Sequence, residues 1–321
     1  MSVVAGCSLF EGVLLAADCR ATVQHPNRTE VRSDNVLKVL AIHHNTAIAF
    51  VGDIRIVAHL LGKLLAGFKN RSRKDPISLS HWLPRLFRHE YQRFASRFGE
   101  RTIIFMVASV IKGRPNVVER KAVEELVKYI GFGHSPIQRN FMPSILIEIM
   151  KVPSKFQWVT IPGTCTGILY VLASPSFQIR AYRPLQFAAI GSGESAIEEI
   201  AKYQDAILAL EPGNSFVESS QFRQVIQRFI DERKIQSVGG LYPVLKVTGK
   251  GVEHITMGTE IPVGGTRLEL AFEGGRWIQK NLSTGKQIPI LMPWEFVKNG
   301  IVKDQTFNDL SDAYRRFKGE A

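Results

Sequence analysis

The chain lacks any uninterrupted run of about eighteen apolar residues, the length a membrane-spanning helix needs, so no membrane span is expected. Its apolar N-terminus has no basic segment in front of it and is broken by Glu11, Asp18 and Arg20, which argues against a secretory signal and for a cytoplasmic location. Cysteine is scarce: Cys7, Cys19 and Cys165 are an odd number with no CxxC spacing, a pattern that fits reduced thiols better than a disulfide framework or a zinc site. No internal repeat, no low-complexity linker and no named nucleic-acid motif is present. Nothing in the residue pattern calls for a metal or an organic cofactor.

What is present is a chain of 321 residues with 45% hydrophobic content, enough for one large domain or two ordinary ones. The net charge of +12 permits attraction to nucleic acid or acidic partners. Much of the excess sits in 68–101, where Arg85, Arg88, Arg93 and Arg97 are interleaved with Trp82, Leu86, Phe87, Tyr91, Phe94 and Phe98. The aromatics recur every three or four residues, so the economical account is an amphipathic helix over 78–98 with a core-facing aromatic stripe and a solvated basic face.

Short apolar stretches at 2–8, 12–18, 37–42 and 46–52, bounded by turn residues, predict four strands. A 3.6-residue apolar period from Ile54 to about Gly67 predicts a helix, followed by the basic one. Strands are predicted again at 102–111, 144–152, 168–173, 177–183 and 186–190, with a charged insertion at 112–142 that carries a helix over 117–130. Helices are then predicted at 194–209 and 217–234. Strands, two helices, strands, two helices is the order of an α+β, four-layer αββα sandwich. From Leu241 the sequence becomes strand-like and glycine-rich and ends in a polar helix at 308–317, so 241–321 reads as a β-rich C-terminal extension to a 2–240 domain.

Ser2 stands directly behind Met1. Removal of Met1 would leave Ser2 with a hydroxyl nucleophile and a free α-amine of pKa about 7.7–8.0, close enough to neutrality to serve as its base. The segments GVLLAADCRAT (12–22), VLKVLAI (36–42), AIAFVGD (47–53) and AAIGSGES (188–195) resemble, in that order, the β-subunits of the proteasome and their bacterial, Anbu-like relatives among the N-terminal nucleophile (Ntn) hydrolases. The likeness is collinear over about residues 2–240. It implies the αββα fold and an amide hydrolase, a protease of peptide or protein substrates. It also implies a homo-oligomer in a ring or related assembly, with an ATPase partner left open. By resemblance Ser2 is the nucleophile and Asp18, in the D-x-R motif with Arg20, lies beside it. Lys38 is the lysine of the site, Gly52 offers an oxyanion-hole N–H, and Ser192 bonds near the terminal amine.

The chemistry of these residue types is coherent on its own terms. An ammonium on Lys38 would disfavour protonation of the Ser2 amine, Asp18 would hold the lysine, and a backbone N–H at Gly52 would meet the negative charge that develops in acyl transfer. The chain departs from the family in using serine where threonine is usual. It also carries Ile235 where the family has an aspartate before a serine and a Gly-Gly; Ser237 and Gly239 keep the rest, and Asp231 is the nearest aspartate. Arg20, Asp53 and the 23–34 loop flank the site in sequence and are candidates for its entrance. Two other readings stand beside the hydrolase: a non-catalytic assembly subunit that binds a partner through its extension, and a basic nucleic-acid-associated protein whose binding would fall steeply with salt.

Overall fold

The apolar runs VVAGCS and GVLLAA pair as antiparallel strands β1 (Val3–Ser8) and β2 (Gly12–Ala17) in the computed structural model. The structure describes residues 2–8, 12–25, 28–33, 35–69, 76–112, 116–121, 124, 155, 157–161, 165–182, 187–191, 222, 241–255, 257–263 and 266–300. Every residue of both strands is buried. That explains why they read as continuous apolar runs: a strand covered on both faces has no solvent side to make polar.

The protein is mixed α/β with mostly antiparallel sheets. In the first sheet, β1 and β2 are joined by β12 (Phe187–Gly191), β13 (Val244–Thr248) and β14 (Val252–Ile255), in the order β12-β1-β2-β13-β14. The second contains β5 (Val39–His43), β6 (Thr46–Gly52), β7 (Ile103–Lys112), β10 (Cys165–Ala173) and β11 (Ile179–Tyr182), ordered β11-β10-β7-β6-β5. The sheets face each other, with β2 packed on β7, β10 and β6. At Gly6 the sheets approach closely: a Cβ there would stand 2.8 Å from Met106 Sδ and 2.9 Å from Leu169 Cδ1, so only glycine fits without repacking.

Helices α1 (Ile54–Lys69) and α2 (Pro76–Phe98) cover the second sheet. Along α2 the side chains of Leu79, Leu83, Phe87 and Tyr91 are buried at four-residue spacing, and Phe87 lies 4.5 Å from Phe105 of β7 between ring centroids. Arg85, Arg88 and Arg93 are exposed on the other side, as the amphipathic pattern predicts.

Several expectations are revised. The 23–34 segment is not a plain loop: it belongs to a hairpin of β3 (Ala21–His25) and β4 (Arg28–Ser33). Residues 117–119 are not helical but lie in β8 (Asn116–Glu119), paired with β9 (Trp158–Ile161), where cross-strand hydrogen bonding overrides the helical reading of a charged segment. The stretch from Leu241 does not behave as one appended unit. β13 lies inside the first sheet between β2 and β14, and only β15 (Met257–Val263), β16 (Thr266–Glu273), β17 (Arg276–Asn281) and β18 (Gln287–Pro289) form a sheet of their own. It is followed by helix α3 (Pro293–Gly300), packed on α1. The predicted strand at 144–152 and the helices at 194–209 and 308–317 lie outside the described residues, as does the helix at 217–234 save for Phe222.

The junction of β6 and α1 is capped by Asp53, whose Oδ1 accepts the Arg55 backbone N–H at 3.0 Å. The Arg55 guanidinium returns to the same carboxylate at 3.0 and 2.5 Å. Burial alone would raise the Asp53 carboxyl, but the Arg55 hydrogen bonds and charge, with Arg101 behind, hold it below its ordinary value. A depressed folded-state value contributes stability above pH 3.8 that is lost as the pH falls through the folded value. Asp53→Asn keeps the cap acceptor and removes the charge. It is expected to be less stable than wild type at pH 7 and to converge with it below pH 3.8 in a urea-unfolding series; a gap independent of pH would count against this account.

Candidate active site around Ser2

Asp18 follows the last residue of β2, opposite the start of β1, and both its backbone and its side chain grip that start. Its N–H donates to Val3 O at 3.1 Å, and its Oδ1 accepts the Val3 N–H at 2.9 Å. Oδ2 accepts the Arg20 N–H at 3.1 Å, closing a turn that aims the Arg20 carbonyl back toward the site. Asp18 thereby fixes the residue next to Ser2 and the turn that follows β2.

Lys38 reaches the same place from the edge of the second sheet, where its carbonyl accepts the Phe50 N–H at 3.1 Å. Its Nζ donates to Asp18 Oδ2 at 2.9 Å, to Ser2 Oγ at 2.7 Å and to the Arg20 carbonyl. An ammonium has three donors and no acceptor, and here each donor has one oxygen. The pair is sealed from solvent, with the Lys38 side chain 4% and that of Asp18 0% exposed. Burial pushes the Asp18 carboxyl above its ordinary value, while the Lys38 charge and hydrogen bond and the two backbone N–H groups act the other way.

Gly191, at the end of β12, pairs with Val3 and has φ +77°. An added Cβ would lie 2.1 Å from the Ser2 carbonyl oxygen and 3.0 Å from Val51 Cγ1. The end of β6, the end of β12 and Ser2 therefore meet at this glycine. Gly52, the next residue of β6, has φ +119°, and a Cβ on it would stand 2.3 Å from the Thr102 carbonyl oxygen. Both positions hold conformations that other residues seldom adopt.

The structure thus brings together Ser2, Asp18 and Lys38, adds the backbone of Arg20, and sets the Gly52 turn one residue from the contact at Gly191. Ser192 and Ser237 lie outside the described residues. Two contributors escaped the sequence reading, the Arg20 carbonyl as a lysine acceptor and Gly191 as the space for Ser2. A carbonyl has no signature in sequence, whereas Gly191 stands in the GSG stretch that drew attention for its serine. A buried ammonium held on a carboxylate and touching a hydroxyl oxygen can stabilise negative charge as it develops on that oxygen. Among the described residues no cluster of His, Cys, Asp and Glu is arranged to hold a metal. No family model matches the chain, and no curated protein matches it either.

Removing one partner of the buried pair leaves the other uncompensated. Lys38→Met is expected to cost about 3–5 kcal/mol in urea unfolding, and Asp18→Asn added to it to recover part of that loss. Additive losses in this double-mutant cycle would show that the two side chains do not act as a pair. Gly191→Ala, which drives a methyl into the Ser2 carbonyl, is expected to cost about 1–3 kcal/mol and to displace Ser2 from Lys38. A crystal structure of that variant with the Ser2 to Lys38 contact intact would contradict the assignment.

Proposed function

We propose that the chain is an Ntn amide hydrolase, a peptidase of the proteasome-like αββα fold that uses Ser2 as its nucleophile once Met1 is removed. The observation that carries this reading is the placement of the Lys38 ammonium, 2.7 Å from Ser2 Oγ and 2.9 Å from Asp18 Oδ2. These are three of the five residues to which the resemblance gives the chemistry. The fourth layer of the sandwich has support of its own. Val3, Ala5, Cys7, Leu14 and Ala16, on the face of the first sheet turned away from the second, are at most 1% exposed, so that face is covered, as a four-layer sandwich requires.

In the proposed reaction Ser2 Oγ attacks the carbonyl carbon of a peptide bond and gives its proton to the Ser2 α-amine. Lys38, as an ammonium, lowers the cost of negative charge on Oγ and opposes protonation of the amine in the resting site. The oxyanion of the tetrahedral intermediate is stabilised at the Gly52 turn, where the missing side chain lets substrate backbone approach. The α-ammonium then protonates the departing amine, leaving an ester on Ser2. Water, deprotonated by the same α-amine, hydrolyses the ester and regenerates the hydroxyl. Asp18 moves no proton in this scheme; it orients Lys38 and the start of β1. Assembly as a homo-oligomer belongs to the same proposal.

Intact-mass measurement before and after exposure to a peptide epoxyketone tests it, because that reagent closes on a hydroxyl and a free α-amine of one residue. Wild type is expected to have lost Met1 and to gain one adduct, and Ser2→Ala to gain none. A retained Met1 without an adduct would overturn the hydrolase reading in favour of a non-catalytic assembly subunit.

A further inference from the structure

The backbone that carries Lys38 is bracketed by the C-terminal segment. Leu291 forms a parallel bridge with Val36, donating its N–H to the Asn35 carbonyl at 2.7 Å and accepting the Leu37 N–H at 2.8 Å. On its other side the Val36 N–H donates to the Cys19 carbonyl at 3.0 Å. The 35–37 segment is thus held between the turn after β2 and the segment that leads into α3, and Lys38 is the next residue.

Five residues from Leu291, Phe296 of α3 packs with Ala21 and Val36 in a small buried cluster, against which Ile54 and Leu291 also lie. Ala21, Val36 and Ile54 of this group each neighbour a site position. Ala21 follows Arg20, whose carbonyl binds Lys38; Val36 lies two residues before Lys38; Ile54 lies two after Gly52. The cluster that holds this aromatic ring therefore joins three of the backbone segments that meet near Ser2.

This element is itself anchored. Glu295 accepts the Met292 N–H at 2.9 Å through Oε2, in the manner of a capping box, and pairs through Oε1 with Arg276 of β17. The Ile290 N–H donates to the Trp277 carbonyl at 2.9 Å, tying the approach to α3 to the same strand. The C-terminal sheet is the abutment and α3 the strut.

We infer that Phe296 and Leu291 are positioning residues for Lys38, so that the C-terminal extension belongs to the Ser2 site; for its catalytic consequence the inference rests on the hydrolase reading. Neither residue meets the reacting atoms. They set the height at which Lys38 leaves the sheet edge and hence the alignment of its ammonium with Ser2 Oγ, where a displacement of about 1 Å is enough to cost about a hundredfold in rate.

Two readouts on the full chain test this. In Phe296→Ala, amide exchange at 36–39 and at Val3 is expected to accelerate about tenfold or more while β7 and β10 keep their protection. The maximal rate of epoxyketone adduct formation is expected to fall about a hundredfold at an unchanged half-saturating concentration, with Phe296→Leu restoring most of it. Arg276→Ala, which removes only the outer anchor of α3 and leaves the core whole, is expected to show the same exchange pattern in weaker form. Exchange that rises evenly through the chain, or does not rise at 36–39, would overturn the inference, as would an adduct rate unchanged in both Phe296→Ala and Arg276→Ala. Selective exchange in a protein whose wild type forms no adduct would sustain the placement of Lys38 by the strut and instead sink the hydrolase reading.

Discussion

The Lys38 ammonium is the interaction on which the rest of this site depends. Its three donors are divided among a carboxylate, a hydroxyl and a carbonyl, and those acceptors come from the start of β1 and the turn after β2. The lysine arrives from the second sheet, so the hydrogen bonds also tie the two sheets together at one corner. Were the ammonium withdrawn, Asp18 would be a buried carboxylate with only backbone donors, and Ser2 Oγ would lose its nearest charge. Under the proposed reading function and fold share this corner, and the fold meets a cost there. Burial raises the Asp18 carboxyl above its ordinary value despite the lysine, so keeping it ionised at neutral pH opposes folding. A sequence selected for stability alone would fill such a corner with apolar side chains.

Much of the architecture could be read from the residue pattern because apolar runs with turn residues between them admit few alternatives. β1, β2, β5, β6, β7, α1 and α2 fall within a few residues of their expected places. The misses have separate causes. The hairpin of β3 and β4 carries charged and polar residues that make no apolar period, whereas β8 (NVVE) runs into a charged stretch that reads as a helix. At β13 the pattern was read correctly as a strand, but its assignment to an extension was not, because nothing local records that VLKVT pairs with β2. Strand partners are a tertiary property. The same applies within the site. Ser2, Asp18 and Lys38 were found through a resemblance in spacing, whereas the Arg20 carbonyl, Leu291 and Phe296 act through backbone and shape, which leave no motif.

The charge of the chain offers a contrast. A net +12 with a cluster of arginines raised the idea of nucleic-acid binding, yet α2 accounts for its own composition. Its buried face meets β7 and Phe177 through aromatic rings, and Arg85, Arg88 and Arg93 stand on the side left to water. Amphipathicity explains the sequence of that helix, and charge alone specifies no partner.

Under the proposed reading the nucleophile is serine where the resemblance expects threonine, and it lacks the methyl that restricts rotation about χ1. Other contacts take over part of that restraint. The amide of the next residue is held by Asp18 Oδ1 at 2.9 Å, the Ser2 carbonyl is packed on Gly191, and Oγ is held by Lys38 at 2.7 Å. A rotamer selected by a charged hydrogen bond from a fixed ammonium needs no methyl to select it, provided that the ammonium is itself fixed. This returns the burden to Lys38 and to whatever holds it. Asp18 and the Arg20 carbonyl fix its tip, and Leu291 and Phe296 hold the chain from which it projects. Under the proposed reading, the precision of the nucleophile is set by the support of its neighbour, so the segment from Leu291 to Phe296 bears on the chemistry at Ser2.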